Sequence, residues 1–289
     1  MKRILISGAT GNIGIELVHY LSIAKANCEI KLAVRDFKKA KDIFKDYPEL
    51  KYIAFDFEDA NTFAKAFKEI DILFLLRPPH ISEVNKVFKP LLNMAKETGI
   101  EKIVFLSVQG AEKSRIIPHH KIELLIQDFG FKYIFIRPSY FMQNLTTTLL
   151  PEIKAQKRIS LPSGKAKFNW VDVNNVGEAA AELLLNFDTH QNNAYDITGM
   201  ENLDFGEVAK LLSGVLGEHI DYRPINPIRY YFEKKKAGIK SGFAMVMTIL
   251  HFLPRIQARP KLSDHFQKLC GKQPSHLHTF IEREKERFI

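Results

Sequence analysis

Apolar positions in the first half of the chain come in short runs alternating with longer, helically spaced stretches. Ile4-Leu5-Ile6, Glu29 to Arg35, Tyr52 to Phe57, Asp71 to Leu76, Lys102 to Ser107 and Lys132 to Arg137 are each too short for a helix and read as strands. Between them, Leu17, Val18 and Leu21, then Asn61 to Lys68, Glu83 to Thr98 and Glu123 to Phe129, repeat at helical spacing. Six strands alternating with helices predict an α/β fold: a Rossmann-type, doubly wound parallel sheet.

The rhythm changes after Leu150. Pro151 to Lys157 reads as a helix and Ile159 to Gly164 as a short strand and turn. Val176 to Leu185 reads as a helix returning to the sheet, and Phe205 to Leu216 as a helix ended by Gly217. His219 to Arg223 is a strand candidate, and Pro274 to Glu282 a final helix entry. The expected organisation is residues 1–150 as the sheet domain and 151–289 as a smaller, substrate-covering lobe. Tyr230, Tyr231, Phe232 and the apolar helix Phe243 to Phe252 either roof an aromatic ligand or complete that lobe's core.

Candidate chemistry starts at the first strand. Gly8, Gly11 and Gly14 stand between it and the first helix. A strand, a glycine-rich turn and a helix N-terminus present backbone amides and a positive dipole end to an anion, and glycines let a pyrophosphate approach. The spacing G-x-x-G-x-x-G in this position points to a dinucleotide. Arg35 follows at the end of the second strand, where arginine suits a ribose 2′-phosphate and an acid suits a free 2′-hydroxyl. NADP(H) is therefore preferred, and Asp36 keeps NAD(H) open. Asp56 with Phe57, and the loop Arg77-Pro78-Pro79-His80, fall at strand ends on the ligand-binding edge.

Composition narrows the classes. The chain has 289 residues, 46% hydrophobic and 26% charged, enough for a full core. Its net charge of +9 reads as scattered along the chain, the longest run being Lys234-Lys235-Lys236, so solvated faces are expected and nucleic acid is not. Cys28 and Cys270 make neither a disulfide framework nor a metal spacing. No secretory signal is visible, and Gly242 to Pro254, the nearest approach to a membrane segment, is too short to span. A cytoplasmic protein with no metal and no membrane partner is expected; a homodimer stays open.

Gly8-Ala-Thr-Gly-Asn-Ile-Gly14, Val34-Arg35-Asp36, Asp56-Phe57, Ser107 to Ala111, Arg137 to Asn144 and Asn169 to Glu178 together resemble the NmrA-like atypical short-chain dehydrogenase/reductases. That group includes NAD(P)H:quinone oxidoreductases, triphenylmethane reductases and NmrA regulators. The resemblance implies that Gly8, Thr10, Gly11, Asn12 and Ile13 hold the pyrophosphate and Arg35 the 2′-phosphate. It puts Asp56 and Phe57 at the adenine, and Leu76, Arg77 and Pro78 beside the ribose. Ser107 would stand on the nicotinamide side, with Pro138, Tyr140, Phe141 and Asn144 lining the nicotinamide and substrate pocket.

One departure bears on mechanism. The usual Tyr-x-x-x-Lys is absent: Lys121 occupies the lysine position, and Ile117 stands where the proton-donating tyrosine would be. His119 or His120, Ser107 and Lys121 are the remaining catalytic candidates, with Lys121 also a cofactor contact. Hydride transfer to a quinone or conjugated acceptor needs stacking more than a protein acid, so NADPH-dependent reduction of such small molecules is expected. The alternative is a non-catalytic NAD(P)-binding redox sensor acting through a protein partner.

Overall fold

The computed structural model describes residues 1–289 apart from 25, 26, 80, 82, 115 and 116. The chain divides into two compact units. The first comprises Met1–Pro138, Val173–Ile197 and His265–Gly271; the second comprises Ser139–Asp172, Thr198–Asp264 and Lys272–Ile289. The boundary thus falls at Pro138, earlier than 150, because Tyr140–Phe141 pairs in parallel with Phe168–Val171 of the second unit.

In the first unit, strands β1 (Lys2–Ser7), β2 (Cys28–Val34), β3 (Lys51–Ala54), β4 (Ile72–Leu76), β5 (Lys102–Leu106), β6 (Lys132–Pro138) and β7 (Asn193–Ile197) form one sheet. Its order is β7-β6-β5-β4-β1-β2-β3, and every pairing is parallel. The direction of winding reverses between β1 and β4, which opens a crevice at their carboxyl ends. Besides the single turn Phe187–His190, the α-helices among its described residues are α1 (Asn12–Ile23), α2 (Phe37–Ile43), α3 (Phe63–Phe67), α4 (Val84–Glu97), α5 (Pro118–Asp128), α6 (Val173–Leu185) and α7 (His265–Cys270).

Both faces of the sheet are covered, which is why its strands read as continuous apolar runs. Leu5, Leu73, Leu75, Ile103, Phe105 and Phe135 pack with Phe67, Phe88, Leu91 and Ile122 from α3, α4 and α5. The alternate positions, such as Ile4, Ile6, Phe74 and Val104, are equally buried and point to the other face. Helix α1 packs there on α6 at backbone range: a Cβ on Gly177 would lie 2.4 Å from Glu16 Cβ and 2.8 Å from its carbonyl carbon. Asn174 ties the pair by donating to Glu16 and accepting from the Tyr20 hydroxyl, both at 2.8 Å.

The second unit is built on short strands and helices. Asn202–Leu203 pairs antiparallel with Phe168–Val171, and Asp221–Pro224 runs parallel to Arg158–Leu161. Trp170 is fully buried, donates its indole N–H to the Leu203 carbonyl and meets Tyr140 and Phe205 edge-on. Helix Phe205–Leu216 opens on an Asp204/Glu207 capping box and stops at Gly217, whose φ of 71° is left-handed, so both its ends were readable in sequence.

Candidate functional site

The glycine turn is built for close approach. Gly8 leaves β1 at φ 66°, and its carbonyl accepts from the Gly11 amide at 3.0 Å. A Cβ on Gly14 would sit 2.3 Å from the Gly8 carbonyl oxygen and 2.5 Å from that of Ala9, so the first turn of α1 can lie on the loop only if residue 14 has no side chain. Gly11 is the N-cap of α1 and has no side chain to cap with, in contrast to Asp36, Asp204 and Asn226 at other helix starts. The first-turn amides of α1, with Thr10, Asn12 and Ile13 around them, are left for an outside acceptor.

Along the same edge, Arg35 is exposed directly after β2, with no ion pair among the described residues. Asp36 is used locally: its carboxylate caps α2 by accepting from the Lys39 amide at 2.9 Å. Strand β3 stops at Ala54, so Asp56 and Phe57 lie in a turn and not in the strand predicted to run through them. Asp56 accepts from the Glu58 amide, and the Phe57 ring packs against Phe55 and Phe88. Phe57 also lines an open cleft of about 450 Å³ with Ile81 and Val87.

After β4, Leu76 lies under the glycine turn, its Cδ2 3.1 Å from where a Gly8 Cβ would be, while its amide donates to Ser7 Oγ at 2.9 Å. Arg77 turns inward. It donates to the carbonyls of Pro78, Pro79 and Ile81 and, at 3.4 Å, to His119 Nε2. His80 lies outside the described residues.

The catalytic candidates divide. Ser107 is buried and donates its hydroxyl to Glu123 Oε1 at 2.5 Å. Its one proton is committed to that carboxylate. His119 is pushed down to about 3 by burial and by the Arg77 charge, so it is neutral and no acid. His120 keeps a buried Nδ1 with no partner among the described residues. Lys121 is exposed in the first turn of α5, and Ile117, at the missing tyrosine's position, is that helix's N-cap.

Sequence reasoning missed Glu123. It is 3% exposed and holds Arg137 in a fork, Nε to Oε1 at 2.9 Å and Nη2 to Oε2 at 2.7 Å, while Arg137 Nη1 also meets Glu112 at 3.1 Å. Nearby, Gln109 donates to Asp196, whose carboxyl is raised by burial. This polar cluster fastens the carboxyl ends of β5, β6 and β7 to α5.

Tyr140, Phe141 and Asn144 belong to the second unit. The Tyr140 hydroxyl is turned into an aromatic core, held above the usual tyrosine range by burial and Tyr230, with a hydrogen bond to Asn144. It lies 2.9 Å from His251 Nε2, and His251 Nδ1 lies 2.7 Å from the Met247 carbonyl. A carbonyl only accepts, so Nδ1 carries the proton and Tyr140 donates to Nε2. The Tyr140 hydroxyl is therefore hydrogen-bonded inside this unit.

Burial depresses His251 to about 4. A histidine lowered in the fold binds its proton more readily when unfolded, so stability is full above about pH 6.5 and falls toward about pH 4, by on the order of 3 kcal/mol. Urea melts across that window should show the fall, and His251→Leu, which cannot titrate, should show a shallower one.

The sequence matches the NmrA-like family over residues 1–252. The chain belongs to the NmrA-like family. Among relatives of this NmrA-like protein, the NAD(P)H azoreductase of Xenophilus azovorans is 29% identical, over 98% of this chain and 96% of its own. Prestalk A differentiation protein A of Dictyostelium discoideum is 27% identical, over 96% and 91%. The triphenylmethane reductase of Citrobacter sp., solved with NADP(H), superposes with a TM-score of 0.81 at 22% identity, covering 97% of this chain and 99% of that one. The last comparison bears out the Rossmann-type fold of this NmrA-like chain.

Proposed function

We propose that the protein is an NADP(H)-dependent reductase that delivers hydride to a quinone-like or conjugated small molecule. The observation that carries this reading is the glycine turn, with its uncapped helix start and forbidden Cβ at Gly14, at the point where the sheet reverses. Gly8, Thr10, Gly11, Asn12 and Ile13 would cradle the pyrophosphate. Arg35 would take the 2′-phosphate, and Asp36, already capping a helix, is poorly free to favour NAD(H). Phe57 and the cleft it lines would receive the adenine, with Asp56 next to it in the turn.

The bound nicotinamide supplies the hydride. The chain's own residues orient it: the backbone of Leu76, Arg77 and Pro78, the fixed strand ends at Ser107 and Pro138, and Lys121 as a ribose contact. Phe141 and Asn144, implied by the resemblance as pocket residues, belong to this proposal as well. Neither Ser107 nor His119 has a proton to give, which favours acceptors that need stacking over simple ketones. His120 is the one remaining histidine at the start of α5. The activity for which the azoreductase relative is named supports the same class of acceptor.

Calorimetric titration with NADPH, then NADPH oxidation against quinones, azo and triphenylmethane dyes and aldehydes, tests the reading. Tight binding without turnover of any acceptor would point instead to a sensor. Arg35→Ala should weaken NADPH by about tenfold to a hundredfold, the worth of a charge-assisted contact, and leave NADH nearly unchanged. Equal losses for both would remove the 2′-phosphate contact.

A further inference from the structure

Helix Ser241–Phe252 is apolar all the way round. Ala244, Met247, Thr248 and His251, spaced at i, i+3, i+4 and i+7, are buried in the second unit. The opposite face bears Met245, Val246, Ile249 and Leu250, each close to half exposed, with no charged residue anywhere along the helix. A helix apolar on every side belongs in a core or in lipid. Packed against it, helix Pro227–Lys236 exposes Ile228 and Phe232, at 67% and 60%, and Lys235 and Lys236 continue that stripe at i+7 and i+8.

The charge along the stretch of sequence that carries this hairpin is lopsided. Residues 223–262 hold nine lysines and arginines against the single acid Glu233, a net +8 out of the chain's +9. Glu233 is itself paired with Arg229 at 2.7 Å. The basic residues that looked scattered along the sequence leave the rest of the molecule almost neutral. Lys236 and Lys240, flanking the turn between the helices, are exposed.

We infer that the two-helix segment Pro227–Phe252 docks the protein on an anionic lipid bilayer, its apolar stripe entering the headgroup boundary and its lysines meeting lipid phosphates. A twelve-residue helix is about 18 Å long and lies in the interface instead of crossing it. The sequence reading set membranes aside because no segment could span, and among the described residues no helix is long and apolar enough to do so; surface docking requires no span. A second copy is the poorer occupant. A two-fold pair uses the same patch on both partners, which would bring Lys235, Lys236 and Lys240 of one copy toward the same lysines of the other. The inference stands apart from the choice of redox acceptor.

The test is co-sedimentation of the full chain with vesicles of phosphatidylcholine alone or mixed with phosphatidylglycerol. Binding to the anionic vesicles should be at least about tenfold tighter and should weaken with added salt. The exposed double substitutions Lys235→Glu/Lys236→Glu and Ile249→Ser/Leu250→Ser should each lower it about tenfold or more, with circular dichroism unchanged. Failure to bind anionic vesicles, or binding indifferent to both variants, would overturn the inference. So would light scattering that shows a dimer which Ile249→Ser/Leu250→Ser dissociates, without vesicle binding, since the face would then join two copies.

Discussion

Gly14→Val is expected to abolish measurable NADPH binding and to destabilise the first unit. The added Cβ would fall 2.3 Å from the Gly8 carbonyl oxygen, 2.5 Å from the Ala9 oxygen and 2.6 Å from the Ala9 Cα, all backbone atoms with no rotamer to yield. Helix α1 would have to lift off the loop. Its far side is pinned to α6 at Gly177 and through Asn174, so the displacement breaks packing there as well. Overpacking of a rigid site costs about 1–3 kcal/mol, and lost helix packing adds to it. Calorimetry and thermal melts read the two effects separately. Gly214→Ala, in the helix Phe205–Leu216, is the contrast: nothing lies within 4 Å of its added Cβ, so about 0.5–1 kcal/mol of gain is expected. A Gly14→Val protein that binds NADPH normally would show that the turn is not the cradle.

The second large effect is expected at Glu123. Glu123→Ala takes away both hydrogen bonds of the Arg137 fork and the acceptor of Ser107 at once. Removing one partner of a buried pair costs about 3–5 kcal/mol, because the charge left behind is poorly solvated. Glu112 stays 3.1 Å from Arg137, so the low end of that range applies. Ser107→Ala removes a single hydrogen bond and should cost about 1 kcal/mol. Urea unfolding of both variants gives the comparison. Equal, small losses would mean that the cluster does not fasten the strand ends.

Much of the local backbone geometry was legible in the sequence because its signals are local. Three glycines between an apolar run and a helical pattern, Arg35 at a strand end, and Gly217 closing a helix all depend on backbone geometry within a few residues. What was missed depends on distant partners. Strand β7 was not assigned to the sheet: its Ala194, Tyr195 and Asp196 are half-buried at an edge, and the strand lies 55 residues past the one it pairs with. Helix α5 was begun at Glu123, whereas the structure starts it at Pro118, a residue suited to a first helical position. Glu123 itself read as a solvated acid. The available signal was its place between Ile122 and Ile126 on the buried stripe of α5, where an acid requires a cation.

The hydroxyls of Tyr140 and Ser107 teach the same point from the other side. Ser107 read as a catalytic candidate and Tyr140, through the resemblance, as a pocket residue, yet each gives its proton to a buried neighbour that sequence spacing does not reveal. The exposed face of Ser241–Phe252 was half legible: its apolarity was plain, but only the three-dimensional structure separates the side that serves the core from the side that does not.

The three-segment build of the first unit also sets an order for synthesis. A chain leaving the ribosome N-terminus first presents β1 to β6 long before β7, so β6 remains an unpaired sheet edge until residue 197 has emerged. Helix α6, which covers the glycine-turn helix, arrives only after the 34 residues Ser139–Asp172 have begun the other unit, and α7 later still. Neither unit can be completed before the other is under way, and a gene cut after codon 150 would encode an open-edged intermediate instead of a dinucleotide-binding domain.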